Sequence, residues 1–574
     1  MLARKARRKG ARHRLAASTR SFTRRASASS TTMRSRARWG RASRFAGWTT
    51  RCARTGSRPG AISPGMQAHP SQVRQVPVLI VGGGLVGLST ALFLAHQGVR
   101  ALIIEKHAGT SLHPRARGFH ARTVELLRST CAGEEVERAG AVPEGTVVGE
   151  LVAVTLAGPV HSWKTRAVST QRMDLSPCPF VFLGQDRLEP ILLTAVRSQD
   201  VEVCFRHELT GFTQDEQGVR ATVLDRDTGA VSTVHAAYLI GADGVRSPVR
   251  EALGIQQRGR GSFGHNLSTL FEADLSPVQR EVPLGFAVLT HPEVGGVIVA
   301  TDVKDRWIHA TRIDMSRETA ADFTEARWTQ RLRTVTGIPD LKPTFHGTFV
   351  WEGAERVAER FSAGRVLLVG DAAHQMPPTG GFGANTGIHD AANLAWKLAA
   401  VLNGHAGPAL LETYDAERRP VAAATANQAA LLAMKMMKRE LPAGEEIVED
   451  DAVTLGYRYG DGPPLPKTFV PTGEPGTRAP HVWLDGAEGR KSTLDLFGNG
   501  FVLLAGSEAW SSAERMALRV HVVQGWQHAY GVGDGGACLV RPDGVVAARW
   551  NEPVPDAEQV LDATLEAQLF RSGS

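Results

Sequence analysis

The stretch VPVLIVGGGLVGLSTALFLAHQGVRALIIEK, residues 76–106, constrains this chain more than any other. The apolar run 78–81 reads as a buried strand, a helix runs to about His96 and stops at Gly98, and a second strand at 101–104 ends in Glu105. This is a complete βαβ unit, and its glycines have separate tasks. Gly82 permits a tight turn, Gly84 lets the backbone approach a pyrophosphate, and Gly87 lets the helix close on the strand. The helix N-terminus offers unpaired N–H groups and partial positive charge to phosphates. Glu105 can accept from ribose hydroxyls and would repel a 2′-phosphate, so the unit suits FAD or NAD better than NADP. Two more literal GxGxxG matches, at 259–264 and 531–536, lack this setting and read as turns.

Two later landmarks have the same flavour. Residues 237–240 read as a strand running into Gly241-Ala242-Asp243-Gly244, with a helix-like stretch at 247–253. Residues 365–369 read as a strand ending in Gly370-Asp371, followed by the loop PPTGGFGANTG and a helix in which Ala391, Leu394, Ala395, Leu398 and Leu402 share a face. Between the landmarks, 262–360 alternates as a half-buried antiparallel sheet does. Residues 437–480, dense in Gly, Pro and Glu, read as a linker before a last βα-like unit.

Charge is uneven along the chain. Of the 66 Lys and Arg, 18 lie in residues 1–65, where there is no Asp or Glu; the first acidic residue is Glu105. The remainder is therefore net acidic, and a nucleic-acid-binding face on it is not indicated. The basic segment cannot bury enough apolar surface to fold alone. Three readings of it stay open: an organellar transit peptide, a basic arm for nucleic acid, and upstream sequence ahead of a start at Met66, which is the preferred one. No apolar run approaches the roughly 18 residues of a membrane span. The five cysteines form no CxxC pair and no His cluster has metal-ligand spacing, so neither disulfides nor a metal are expected, and a cytoplasmic setting is.

The three landmarks stand about 160 and 130 residues apart around a sheet-rich insert. In that order and spacing the chain resembles the para-hydroxybenzoate hydroxylase family of single-component flavoprotein monooxygenases. It is most similar to the subgroup that hydroxylates aromatic polyketides of the anthracycline, tetracenomycin and spore-pigment type. The matching stretches are HPRARGFHARTVELLR, GQDRLEPIL, GDAAHQMPPTGGFGANTGIHDAANLAWKLAAVL, STLDLFGNGFVLLAG and GACLVRPDGVVAARW.

The resemblance implies an α/β fold: a Rossmann-like FAD-binding domain, an inserted antiparallel-sheet substrate domain, and a C-terminal thioredoxin-like domain, here without CxxC. The expected boundaries are a basic disordered tail at 1–75, an FAD domain at 76–257 and 363–436 with a substrate-domain piece near 146–182, a substrate domain at 258–362, a linker at 437–480 and the C-terminal domain at 481–574. It implies that Asp371 bonds the ribityl chain of FAD and that Pro378, Gly383, Ala384 and Asn385 line the flavin. Gln185 would touch FAD, Arg115 or Arg117 would lie near its ADP portion, and Asp243 would sit between FAD and the nicotinamide. The implied chemistry uses NADPH or NADH, dioxygen and a flavin 4a-hydroperoxide to hydroxylate a phenolic ring. No catalytic side chain can be named; His265, His309, Arg312, His346 and Trp351 fall in the sheet and read as structural before catalytic, and Trp307 and Trp351 are available for stacking on a flat ligand. A homodimer is open. The alternatives are a monooxygenase of simple phenols in catabolism, oxygen insertion or ring cleavage instead of hydroxylation, and a flavin-binding protein without activity.

Overall fold

The structure, a computed structural model, describes residues 73–168, 172–486, 489–513 and 518–570. The basic segment and Met66 lie outside them.

Five parallel strands form the spine of the first sheet, in the spatial order Glu202–Phe205, Ala101–Glu105, Val73–Val81, Val231–Gly241 and Val366–Leu368. Strand Ser362–Ala363 closes one edge, and the hairpin His207–Gln214/Val219–Asp225 pairs with the first half of Val231–Gly241. Val78–Val81 and Leu102–Ile104 are buried without alternation, as strands covered on both faces must be. Helix Leu85–His96 packs against both Gln185–Ser198 and Phe382–Leu402. The register sets Val81 beside Gly241, and Gly241 beside Leu368. All three landmarks thus end at the carboxyl edge of three adjacent strands, where open α/β sheets bind ligands.

The second sheet has the strand order His374–Gln375, Thr344–Ala358, Gln257–Glu272, Arg306–Ile313, Gly296–Ala300, Leu284–Leu289, Val147–Ala153, Val160–Ala167. Only the pair Leu284–Leu289/Val147–Ala153 is parallel. Helix Glu325–Thr336 covers one face, where Trp328 Nε1 donates to Thr348 Oγ1 at 2.9 Å. The GRGSFG stretch at 259–264 is not a turn: it lies within strand Gln257–Glu272, which shifts register on both sides of Gly261. Its glycines serve bulges in a long bent strand.

A four-stranded sheet, ordered Leu518–Val522, Phe501–Ala505, Ala537–Val540, Val546–Trp550, packs with helix Ala557–Leu569. Trp396 and Leu410 belong to the same apolar cluster as Leu503, Leu539 and Leu561, so the far end of helix Phe382–Leu402 is built into this module. Residues 437–480, expected as a linker, also pack: helix Asp450–Thr454 forms, and Tyr457, Tyr459 and Ala479 are buried. Among the described residues no helix is long and apolar enough to cross a membrane.

Candidate active site

The cradle starts at the glycine turn. Gly82 has φ +110°, and a Cβ there would stand 2.3 Å from Ala242 O. A Cβ at Gly87 would stand 1.9 Å from Gly82 O. The ends of two strands and the first turn of helix Leu85–His96 therefore meet backbone to backbone, which only glycine allows. Glu105 receives Gly83 N at 2.8 Å and His107 N at 2.8 Å, so the acid at the second strand's end is tied to the turn it follows.

Helix Leu85–His96 begins at Gly84, and helix Phe382–Leu402 begins at Gly381 (φ +67°); neither has a side-chain cap or an acidic residue in its first turn. Two sets of orphan N–H groups thus sit at the cleft, each a ready partner for negative charge. The Pro377–Gly381 loop turns through left-handed Gly380 and Gly381 to reach the second of them. Pro378 is exposed on that loop, and Gly383 and Ala384 are half-buried in the helix's first turn.

The side chain of Asn385 is used within the protein itself. Its Oδ1 receives His120 N at 3.0 Å and Thr123 Oγ1 at 2.7 Å, and its Nδ2 donates to Gly118 O at 3.2 Å and Gly381 O at 2.8 Å. With both ends used, the side chain locks the Pro377–Gly381 loop to the start of helix Ala121–Arg128.

Asp371 is solvent-exposed yet enclosed by protein, as a residue in a cleft is; the enclosure raises its pKa, against the pull of His374 and Arg115. Asp243 Oδ2 receives Val249 N at 2.9 Å, while its Oδ1 is buried without a partner, and burial raises its pKa. A buried lone pair with no donor is costly unless something supplies one.

The two arginines part company. Arg115 is exposed and acts electrostatically on both Asp371 and Glu189. Arg117 donates to Ala300 O at 2.8 Å in the second sheet, and burial lowers its pKa to about 10. Gln185 donates to Glu189 Oε1 at 2.7 Å and exchanges backbone and side-chain bonds with Ala116. Glu189, 1% exposed, also receives Ser111 N at 2.6 Å, and its Oε1 would lie 3.6 Å from a Cβ at Gly84. Sequence reasoning missed this carboxylate beside the glycine turn. The available signal was its place four residues after Gln185, on the same helical face.

The second sheet presents an apolar face to this cleft. Phe349 meets the His113 ring edge-on at 4.2 Å, so its side of the strand is turned to the nucleotide unit, opposite the side that carries Thr348. Alternation and register place Trp351, Ser268, Asn266, Ala310, Val297, Val288 and Phe286 on the same face. Trp351, half-buried, donates to Ser268 Oγ at 2.7 Å. Trp307 does not join it. It is 4% exposed under helix Glu325–Thr336 and donates to Ala273 O at 3.1 Å, because its odd-numbered position points to the other face. His309 shares that covered face; burial lowers its pKa to about 3.

Comparison with known proteins agrees with this architecture. The FAD binding domain model matches residues 75–429, and the model of the aromatic-ring hydroxylase C-terminal region matches 472–570. The chain is 40% identical to tetracenomycin A2 monooxygenase-dioxygenase of Streptomyces glaucescens, over 87% of this chain and 97% of that one. It is 39% identical to aklavinone 12-hydroxylase of Streptomyces purpurascens, over 87% and 99%. The crystal structure of a ternary complex of aklavinone-11 hydroxylase with FAD and aklavinone superposes with a TM-score of 0.79 at 37% identity, over 87% of this chain and 99% of that one. Glycine cradle, uncapped helix starts and enclosed acids fit FAD, and the chain belongs to the family of FAD-dependent aromatic-ring hydroxylases, monooxygenases that carry this C-terminal module.

Proposed function

We propose that this monooxygenase hydroxylates a polycyclic aromatic polyketide, in the biosynthesis of an antibiotic or pigment. The observation that carries the reading is the broad apolar face of the second sheet, with Phe286, Val288, Val297, Phe349 and Trp351 half-buried along it. A flat fused-ring ligand buries more on such a face than a single phenol does, at roughly 25 cal/mol per Å² of apolar surface. The relatives named for tetracenomycin A2 and for aklavinone support the same reading.

The chemistry FAD supplies when bound is acceptance of a hydride from NADPH or NADH and activation of dioxygen for transfer of one oxygen atom to an electron-rich carbon. The chain's own residues do the rest. The N–H groups at Leu85–Gly87 take the pyrophosphate, and Glu105 takes ribose hydroxyls. Asp371 accepts from the ribityl chain, and Arg115 balances charge at the cleft mouth, since Arg117 is tied to Ala300 O. The N–H groups of Gly383 and Ala384 hold negative charge on the flavin edge. Asp243, with one oxygen still free, serves the cofactor side of the nicotinamide approach. Asn385 and Gln185 position the loops, and Trp351 stacks on the substrate.

Asp371→Ala is expected to weaken FAD binding about 10- to 150-fold, the equivalent of a lost charge-assisted hydrogen bond of about 1.5–3 kcal/mol. Asp243→Ala should weaken it less, since one of its oxygens is already held by Val249 N. Titration of apo-protein with FAD, followed by flavin fluorescence, measures both; equal affinity in wild type and Asp371→Ala would remove that role.

The test of the substrate class is anaerobic mixing with NADPH or NADH, with and without a tricyclic or tetracyclic polyketide. Flavin bleaching should accelerate about tenfold or more, a barrier change of about 1.4 kcal/mol. Under air the same compound should gain one oxygen atom per donor consumed. Acceleration by a simple monophenol but by no polyketide would leave the monooxygenase and overturn the substrate class.

A further inference from the structure

Asp390 has no part in the roles above. It lies inside helix Phe382–Leu402, 0% exposed, and its carboxylate is surrounded by donors from three elements. Oδ2 receives His374 Nε2 at 2.6 Å and Gly370 N at 3.2 Å, and Oδ1 receives Arg418 Nε at 2.8 Å. Arg418 is also 0% exposed; it donates onward to Thr386 O at 3.2 Å and to Tyr459 OH at 3.2 Å. An ionised carboxylate only accepts, so His374 carries its proton on Nε2. A buried charge of this kind persists only when paired and hydrogen-bonded, and here Arg418 supplies the pairing.

The place where these bonds converge is the reason to assign a role. Gly370 has φ +59° and immediately precedes Asp371. From below, the turn is hemmed in by Val86 of the first helix: a Cβ at Gly370 would stand 2.9 Å from Val86 Cγ2, and one at Gly387 2.6 Å from the same atom. Packing therefore fixes the turn's distance from helix Phe382–Leu402, but van der Waals contact does not fix its rotation. Hydrogen bonds do, because they are directional. Asp390 holds the turn on both flanks, at Gly370 N before Asp371 and at His374 after it.

We propose that Asp390 is the positioning residue of the cofactor turn: through Gly370 N and His374 it sets the direction in which Asp371 presents its carboxylate to FAD, while Arg418 keeps it ionised. The inference rests on Asp371 being an FAD ligand. Tyr457 and Tyr459, which lie 5.4 and 6.0 Å from the Arg418 guanidinium carbon, roof the cation, so the segment 437–480 takes part in holding this charge.

A double-mutant cycle on FAD affinity tests it, using apo-protein of wild type, Asp371→Ala, Asp390→Asn and the double variant, titrated with FAD by fluorescence. Asparagine keeps the shape but puts an amide where one of the acceptors was. Asp390→Asn alone should raise the dissociation constant about tenfold. In the Asp371→Ala background the same change should raise it less than about threefold, because the group it positions is gone. An Asp390→Asn affinity within about twofold of wild type overturns the proposal, and so does a full tenfold effect in the double variant, which is what a general loosening of the core would give. Normal FAD binding by Asp371→Ala overturns the parent reading and this one together. Should Asp390→Asn fail to fold, His374→Ala, which removes one donor and leaves the Asp390–Arg418 pair intact, is read in the same cycle with the same outcomes.

Discussion

Gly87→Ala is expected to yield a folded protein that holds no FAD after purification. The added methyl carbon would stand 1.9 Å from Gly82 O, 3.0 Å from Gly82 C and 3.4 Å from Ala242 Cβ. The first two are backbone atoms, so no side chain can swing aside. Nor can the turn retreat, because Gly82 already lies against Ala242, where its own Cβ would meet the carbonyl at 2.3 Å. The remaining movement is of helix Leu85–His96 away from the sheet, which carries its first-turn N–H groups off the pyrophosphate position. Losing about 3 kcal/mol of those charge-assisted bonds costs about 150-fold in affinity, and overpacking adds roughly 1–3 kcal/mol of instability. The measurement is flavin absorbance per chain together with far-ultraviolet circular dichroism. A folded Gly87→Ala protein that retains wild-type flavin content would contradict the cradle as described. Gly98→Ala is the control of opposite kind: φ is +76°, but nothing stands within 4 Å, so backbone strain and not collision would be its only effect.

Glu417→Gln should lower stability by about 3–5 kcal/mol, the range for removing one partner of a buried ion pair. The carboxylate of Glu417 receives Lys397 Nζ at 2.7 Å, Asn393 Nδ2 at 2.8 Å, and Arg541 Nη1 and Nη2 at 2.7 and 2.9 Å. Burial opposes its ionisation, but Arg541 and Lys397 outweigh burial and hold its pKa well below the usual range. A depressed acid stabilises the fold above its unfolded pKa and loses that contribution only as pH falls through the folded value, so at neutral pH the whole contribution is present. Burial already lowers Lys397 to about 8 even with Glu417 beside it. Without Glu417, Lys397 and Arg541 face each other with Asp543 as the remaining acid. The urea midpoint at neutral pH, at matched FAD saturation, measures the loss. Lys397→Met in the Glu417→Gln background should recover part of it by removing the stranded cation. A Glu417→Gln midpoint equal to wild type would mean that water, not the ion cluster, fills this junction.

That junction also says what the C-terminal module does for the fold. Arg541 and Asp543 come from the module, Glu417 from helix Glu412–Met436 and Lys397 from helix Phe382–Leu402, and Arg478 of the segment 437–480 reaches Glu125 with Nε at 2.9 Å. Helix Phe382–Leu402, whose first turn opens on the cleft, is anchored at its far end by charges and by Trp396 in the module's apolar core.

The glycine cradle was legible in residues 76–106 because every feature of it is local. A tight turn, a close approach and a helix start are decided by glycines within six positions, and an apolar run of four marks each strand. The later landmarks were legible for the same reason, each being a strand that runs into a glycine with an acid one or two residues on. Which tryptophan faces the cleft was not legible. Trp307 and Trp351 look alike in sequence, and the choice between them depends on which strand face helix Glu325–Thr336 covers, where one residue of register reverses the answer. The segment 437–480 read as a linker because composition reports a missing periodicity, whereas Tyr457 and Tyr459 are buried by a cation that arrives from a distant helix. Asp390, Glu189 and Glu417 were passed over for a related reason: an acid in a sequence reads as surface, and its burial depends on partners such as His374, Ser111 and Arg541, which lie 16, 78 and 124 residues away. By itself the sequence determined the nucleotide unit and the order of its three landmarks, since local backbone geometry demands those residue types. Only the tertiary structure decided which side chains face the cleft and which acids hold it in shape, since burial and pairing are properties of segments brought together from far apart in the chain.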